Sequence, residues 1–76
     1  MVRHTEKIHV RFDGRSYDWA LERFGLDGER AKGATDEELK RMIAGQLDVA
    51  VERLSTYVID RPETGNIILR PEAVYG

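Results

Sequence analysis

Asp13-Gly14 stands between two segments of alternating polarity, and together they specify a β-hairpin. On the N-terminal side, Lys7, His9 and Arg11 alternate with Ile8, Val10 and Phe12, the period of a strand with one buried face. A two-residue turn of type I′ needs positive φ at both central positions, which aspartate tolerates and glycine adopts freely. Closing that turn sets Phe12 opposite Arg15, Val10 opposite Tyr17, Ile8 opposite Trp19 and His9 opposite Asp18. Apolar residues then meet apolar residues on one face, and the histidine meets a carboxylate on the other. A slip of one residue would turn the apolar set of one strand toward water.

Ala20 to Ala34 reads less clearly. Leu21, Phe24 and Leu26 suit either one helical turn closed by Gly25 or an irregular segment resting on the core. Asp27 to Ala34, with Gly28 and Gly33, reads as a solvated loop. A helix start follows. Thr35 with Glu38 three residues later forms a capping box, and Asp36 and Glu37 place negative charge where the helix dipole favours it. Leu39, Met42, Ile43 and Leu47 fall on one stripe, which Ala50 and Leu54 extend if the helix runs on. Arg41, Gly45 and Asp48 lie opposite, so the spacing predicts an amphipathic helix over roughly Asp36 to Leu47 that packs on one side.

Thr56 to Asp60 and Ile67 to Arg70 are rich in β-branched residues, and Arg61 to Asn66 between them contains the turn formers Pro62, Gly65 and Asn66. This predicts a second hairpin. Ile67, Ile68 and Leu69 are consecutively apolar, which suits a strand shielded on both faces, and Pro71 ends it.

Hairpin, helix, hairpin is a ββαββ order. Its simplest realisation is an α+β fold: a mixed four-stranded sheet in the order 2-1-4-3, the last strand parallel to the first and the helix across one face. The order of elements, and the passage from Leu47-Asp48-Val49 to Glu52-Arg53-Leu54 with a short strand after it, resembles the β-grasp of ubiquitin-like proteins over about Lys7 to Arg70. That resemblance implies a partner-binding sheet face. Ubiquitin-like modifiers end in a Gly-Gly tail, whereas Tyr75-Gly76 offers a single glycine, so a modifier role through Gly76 is the smaller expectation. A second parse also exists. Ile43 to Val49, then Leu54-Ser55 and Tyr57-Val58, is similar to a helix-turn-helix DNA-binding regulator, with helices at about 36–46 and 50–59 and the last hairpin as a wing. Glu52, Arg53 and Asp60 nearly cancel in charge, where a DNA reader needs a positive surface. Nucleic acid is therefore disfavoured as a partner.

Seventy-six residues suit one domain over 1–76, with residues 1–5 and 72–76 read as tails. The chain has no cysteine, which excludes disulfide, thiolate-metal and cysteine-nucleophile chemistry. Twelve Lys and Arg against fourteen Asp and Glu are interspersed, a solubility pattern rather than a polyanion-binding one. No apolar run exceeds three residues, so the expectation is a soluble cytoplasmic protein away from membranes.

Candidate chemistry is sparse. His4 and His9 are the only imidazoles and fall on opposite faces of an extended strand, so no metal site is expected. Ser16, Ser55, Thr35 and Thr56 lack a nucleophile elbow, and His9 is the nearest base to Ser16, on an open face. Helix-start electrostatics accounts for the acidic run Asp36, Glu37, Glu38. Gly25, Gly28 and Gly33 make no phosphate loop, so neither catalysis nor a cofactor is expected. The outer sheet face remains. Lys7, His9 and Arg11 form a basic row beside Ser16 and Asp18 that would steer a protein partner. The chain thus reads as a small non-enzymatic protein-interaction module, an adaptor or accessory subunit. It is expected as a monomer or a weak homodimer through the second strand or the strand at Thr56 to Asp60, both sheet edges.

Overall fold

The computed structural model describes residues 6–63 and 65–72. Strands β1 (Lys7–Phe12) and β2 (Arg15–Ala20) form the first hairpin, helices α1 (Gly28–Gly33) and α2 (Asp36–Leu47) follow, and β3 (Tyr57–Asp60) and β4 (Ile67–Pro71) form the second. Single 3-10 turns occupy Leu21–Phe24 and Val51–Leu54. The expected α+β class holds: one mixed, open four-stranded sheet in the order β2-β1-β4-β3, with β4 parallel to β1 and antiparallel to β3.

The first hairpin has the register that the turn chemistry specifies. Asp13 and Gly14 sit at φ 55° and 79°, and Phe12 pairs with Arg15, Val10 with Tyr17, His9 with Asp18 and Ile8 with Trp19. Ile8, Val10 and Phe12 point to the inner face and are buried, joined there by Ile67 and Leu69 of β4. Leu39, Ile43 and Ala44 of α2 close over them, and Leu21, Ala31 and Leu54 fill the margins of the same cluster. Each large aliphatic side chain taken fully out of water contributes roughly 1.5–3 kcal/mol. Ile8, Leu39, Ile43, Leu54 and Leu69 are all at 0% exposure.

Helix α2 begins as its capping box requires. The Thr35 hydroxyl accepts from the Glu38 amide at 3.1 Å, and the Glu38 carboxylate accepts from the Thr35 amide at 2.8 Å. The Thr35 amide bond to the carboxylate, and after it the Thr35 hydroxyl beside that carboxylate, hold the Glu38 carboxyl below its usual value. This support is present at neutral pH and is lost as pH falls through the lowered value. The helix stops at Leu47 because Asp48 turns left-handed at φ 60° and the Val49 amide reaches back to the Ala44 carbonyl at 3.0 Å. Gly45 lies exposed on the helix's wet face, and a Cβ there would meet nothing within 4 Å. Gly45→Ala is therefore expected to stabilise the fold by about 1 kcal/mol, read as a higher urea midpoint with an unchanged m-value.

Several expectations need correction, and one open alternative is resolved. Asp27 to Ala34 is not a solvated loop: the Asp27 carboxylate caps α1 by accepting from the Arg30 amide at 2.8 Å, and Ala31 is buried. Leu21 to Phe24 takes the helical option, as a 3-10 turn closed by Gly25. Met42 is half-buried outside the core cluster and Ala44 takes that place, because the helix presses on the sheet along a line displaced toward Ala44. The second helix of the helix-turn-helix parse is absent: 51–54 make one 3-10 turn and 57–60 are strand, where Val58 and Ile59 satisfy their β preference. Finally, β4 is shielded on one face only. Ile67 and Leu69 are buried, whereas Ile68 points to the other side and is half-exposed. Glu72, counted with the tail, donates its amide to the Thr56 carbonyl at 3.2 Å. Residues 1–5 and 73–76 lie outside the described residues.

Candidate partner-binding face

Strand parity and pairing together define the face of the sheet turned away from α2. In β1 it carries Lys7, His9 and Arg11, and in β2 it carries Ser16 and Asp18 opposite Arg11 and His9. The parallel pairing of β1 with β4 sets Ile68 beside His9, and the antiparallel pairing of β3 with β4 sets Asp60 beside Ile68 and Val58 beside Arg70. One row across the sheet therefore reads Asp18, His9, Ile68, Asp60. The next reads Ser16, Arg11, Arg70, Val58.

A histidine–carboxylate hydrogen bond and an arginine–carboxylate ion pair lie on this face. The His9 ring pairs through Nδ1 with the Asp18 carboxylate, and the Arg70 Nε donates to Asp60 Oδ2 at 2.6 Å. Both pairs are partly solvated, so they organise side chains more than they stabilise the fold. Lys7 and Arg11 have no ion-pair partner among the described residues, which leaves the face with an excess of positive charge. Val58 and Ile68 are half-exposed and stand outside the core cluster. The buried residues of every helical element lie in the one core cluster on the inner side, so no described helix covers this face.

All four expected sheet-face residues, Lys7, His9, Arg11 and Asp18, are on it together. Tyr75 and Gly76 lie outside the described residues. Val58, Asp60, Ile68 and Arg70 complete the face, and the sequence reading did not assign them to it. The missed signal was parity: once β4 pairs parallel to β1 and Ile67 and Leu69 are buried, Ile68 must face out beside His9. Ser16 lies one pair along from His9, and no hydrogen bond joins the two side chains among the described residues.

A second concavity lies between the start of α1 and the β3–β4 connection, lined by Glu6, Asp27, Gly28, Lys32, Arg61 and Glu63 among others. Its polar groups hold the fold together. The Glu6 side chain occupies the space that a Cβ at Gly28 or Gly65 would take, 2.5 Å and 3.1 Å from those positions. Arg61 donates to the carbonyls of Ala31 and Ala34 and to Asp36. Among the described residues no helix is long and apolar enough to cross a membrane. Comparison with known proteins finds no family model, no curated protein and no solved structure that matches this chain.

Proposed function

We propose that this chain is a small non-enzymatic interaction module of the ubiquitin-like type, an adaptor or accessory subunit that binds a protein through the outer face of its sheet. The observation that carries the proposal is Ile68. A strand with three consecutive apolar residues suits two shielded faces, and the chain shields only one of them. A partner would supply the second. The surroundings suit an interface: Ile68 is half-exposed in a central strand, Val58 stands diagonal to it on β3, and charged side chains flank both. With Lys7 and Arg11 unopposed, the complementary surface carries carboxylates around an apolar contact, and those charges speed encounter more than they tighten the complex.

The test uses affinity capture with the intact chain and with two variants. Val58→Thr with Ile68→Thr keeps β-branching at both positions, so the thermal midpoint should move little while a specific partner binds about tenfold more weakly or worse. Arg11→Glu should slow association in a salt-dependent way. A partner retained equally by both variants, or lost on changing Arg41 of the wet face of α2, would place the interface elsewhere and overturn the proposal.

A further inference from the structure

The sheet has two edges, and they are not equally protected. β3 is only four residues long and runs directly into Arg61-Pro62, where proline ends pairing. β2 is six residues, contains no proline, lysine or bulge, and pairs regularly along its whole length with β1. In a hairpin with a two-residue turn the flanking pair is hydrogen-bonded, so Arg15, Tyr17 and Trp19 direct their backbone groups to β1. The Leu21 amide continues that series by donating to the Glu6 carbonyl at 3.2 Å. The amides and carbonyls of Ser16 and Asp18 therefore point off the edge of the sheet. On the inner face at this edge, Tyr17 and Trp19 are half-exposed at the margin of the core, their ring centroids 5.2 Å apart, with Phe24 edge-on to Trp19 at 5.8 Å.

We infer that β2 seats a second copy of this chain: two β2 strands pair antiparallel about a two-fold axis through Tyr17, and the two sheets continue as one. Both partners must use Ser16 and Asp18, whose backbone groups face outward, so residues of the same parity lie opposite each other. Two registers then use most of the strand. With the axis at Asp18, two carboxylates of like charge stand directly opposite, which is unfavourable. With the axis at Tyr17, Ser16 of each copy stands opposite Asp18 of the other, hydroxyl donor against carboxylate acceptor. On the inner face of that register Tyr17 meets its symmetry mate, and the Arg15 guanidinium of each copy meets the Trp19 ring of the other, a cation–π pairing. Each position from Arg15 to Trp19 finds a complementary neighbour in its own sequence, as an isologous interface requires. The outer face stays open on both copies, with Ser16 and Asp18 at its margin shared between the dimer seam and that face.

Because the chain has no cysteine, the register can be read directly. Tyr17→Cys places two sulfurs at a non-hydrogen-bonded pair on the axis, where Cα atoms are about 4.5 Å apart and within disulfide reach. Mild oxidation should convert Tyr17→Cys to a covalent dimer and leave Asp18→Cys monomeric. Sedimentation equilibrium of the unaltered chain should show mass rising with concentration toward twice that of one chain. Ser16→Pro removes an amide that makes no bond within the chain but one across the seam from each copy, two in all, and should weaken association roughly thirtyfold while the circular dichroism spectrum is kept. An unaltered chain that stays monomeric at millimolar concentration overturns the inference. So does a dimer that cross-links through Asp18→Cys, or one that Ser16→Pro leaves intact.

Discussion

Leu69→Ala should leave much of the chain unfolded at room temperature. Leu69 is at 0% exposure in a central strand, paired with Val10 on one side and Ile59 on the other, with α2 above it in the same cluster. Truncating a leucine so placed removes its transfer free energy and leaves a cavity that the sheet cannot collapse to fill. The cost is about 2–5 kcal/mol. A 76-residue domain has only a few kcal/mol of stability to lose. Its neighbour in sequence gives the control. Ile68 faces the other way and is half-exposed, so Ile68→Ala should cost about 1 kcal/mol or less. Urea titrations followed by far-ultraviolet circular dichroism separate the two, and equal losses at both positions would refute the assignment of faces in β4.

That contrast also shows where the sequence was readable. The first hairpin was legible to the residue because two local signals agree: Asp13-Gly14 selects the turn, and the period of two selects the face. The start of α2 was legible for the same reason, since Thr35 and Glu38 satisfy each other within one turn. Its end at Leu47 also matches the expected bound, and Asp48 makes the stop by turning left-handed, a conformation that aspartate tolerates. The topology followed from the order of elements, once the helix had to cross one face of the sheet.

Half of the outer face was legible and half was not. Lys7, His9, Arg11 and Asp18 announce their side by alternating with buried residues. In β4 the alternation is hidden, because Ile68 is as apolar as Ile67 and Leu69 on either side of it, and hydropathy alone cannot assign three like residues to two faces. Only the pairing with β1 resolves it. The same ambiguity bears on the proposed interface, which rests on Ile68 being the one residue of that triplet turned to the open face.

Helix α1 was illegible because its stabilising contact is remote, and that contact carries the second large effect. Arg61→Ala is expected to destabilise the chain by about 2 kcal/mol. A helix as short as α1, with glycine at both ends, has little intrinsic stability. Its carbonyls at Ala31 and Ala34 are met by the Arg61 guanidinium at 2.9 Å and 2.7 Å, from thirty and twenty-seven residues away. The same fork reaches Asp36 Oδ1 at 2.8 Å, so one side chain ties the start of α2, the end of α1 and the exit of β3 together. Hydrogen bonds from a charged donor contribute about 1.5–3 kcal/mol when partly buried, and the one-third exposure of Arg61 argues for the lower half of that range. Lysine retains the charge but not the planar fork, so Arg61→Lys should recover less than half of the loss. Asp36→Asn, which weakens the ion pair and removes one charge from the first turn of α2, should cost about 1 kcal/mol or less. Hydrogen exchange makes the mechanism visible: in Arg61→Ala, protection at Ala31 and Ala34 should collapse while that of Val10 and Leu69 falls only with global stability. Uniform loss at all four amides would mean that Arg61 supports the fold as a whole and does not clamp α1.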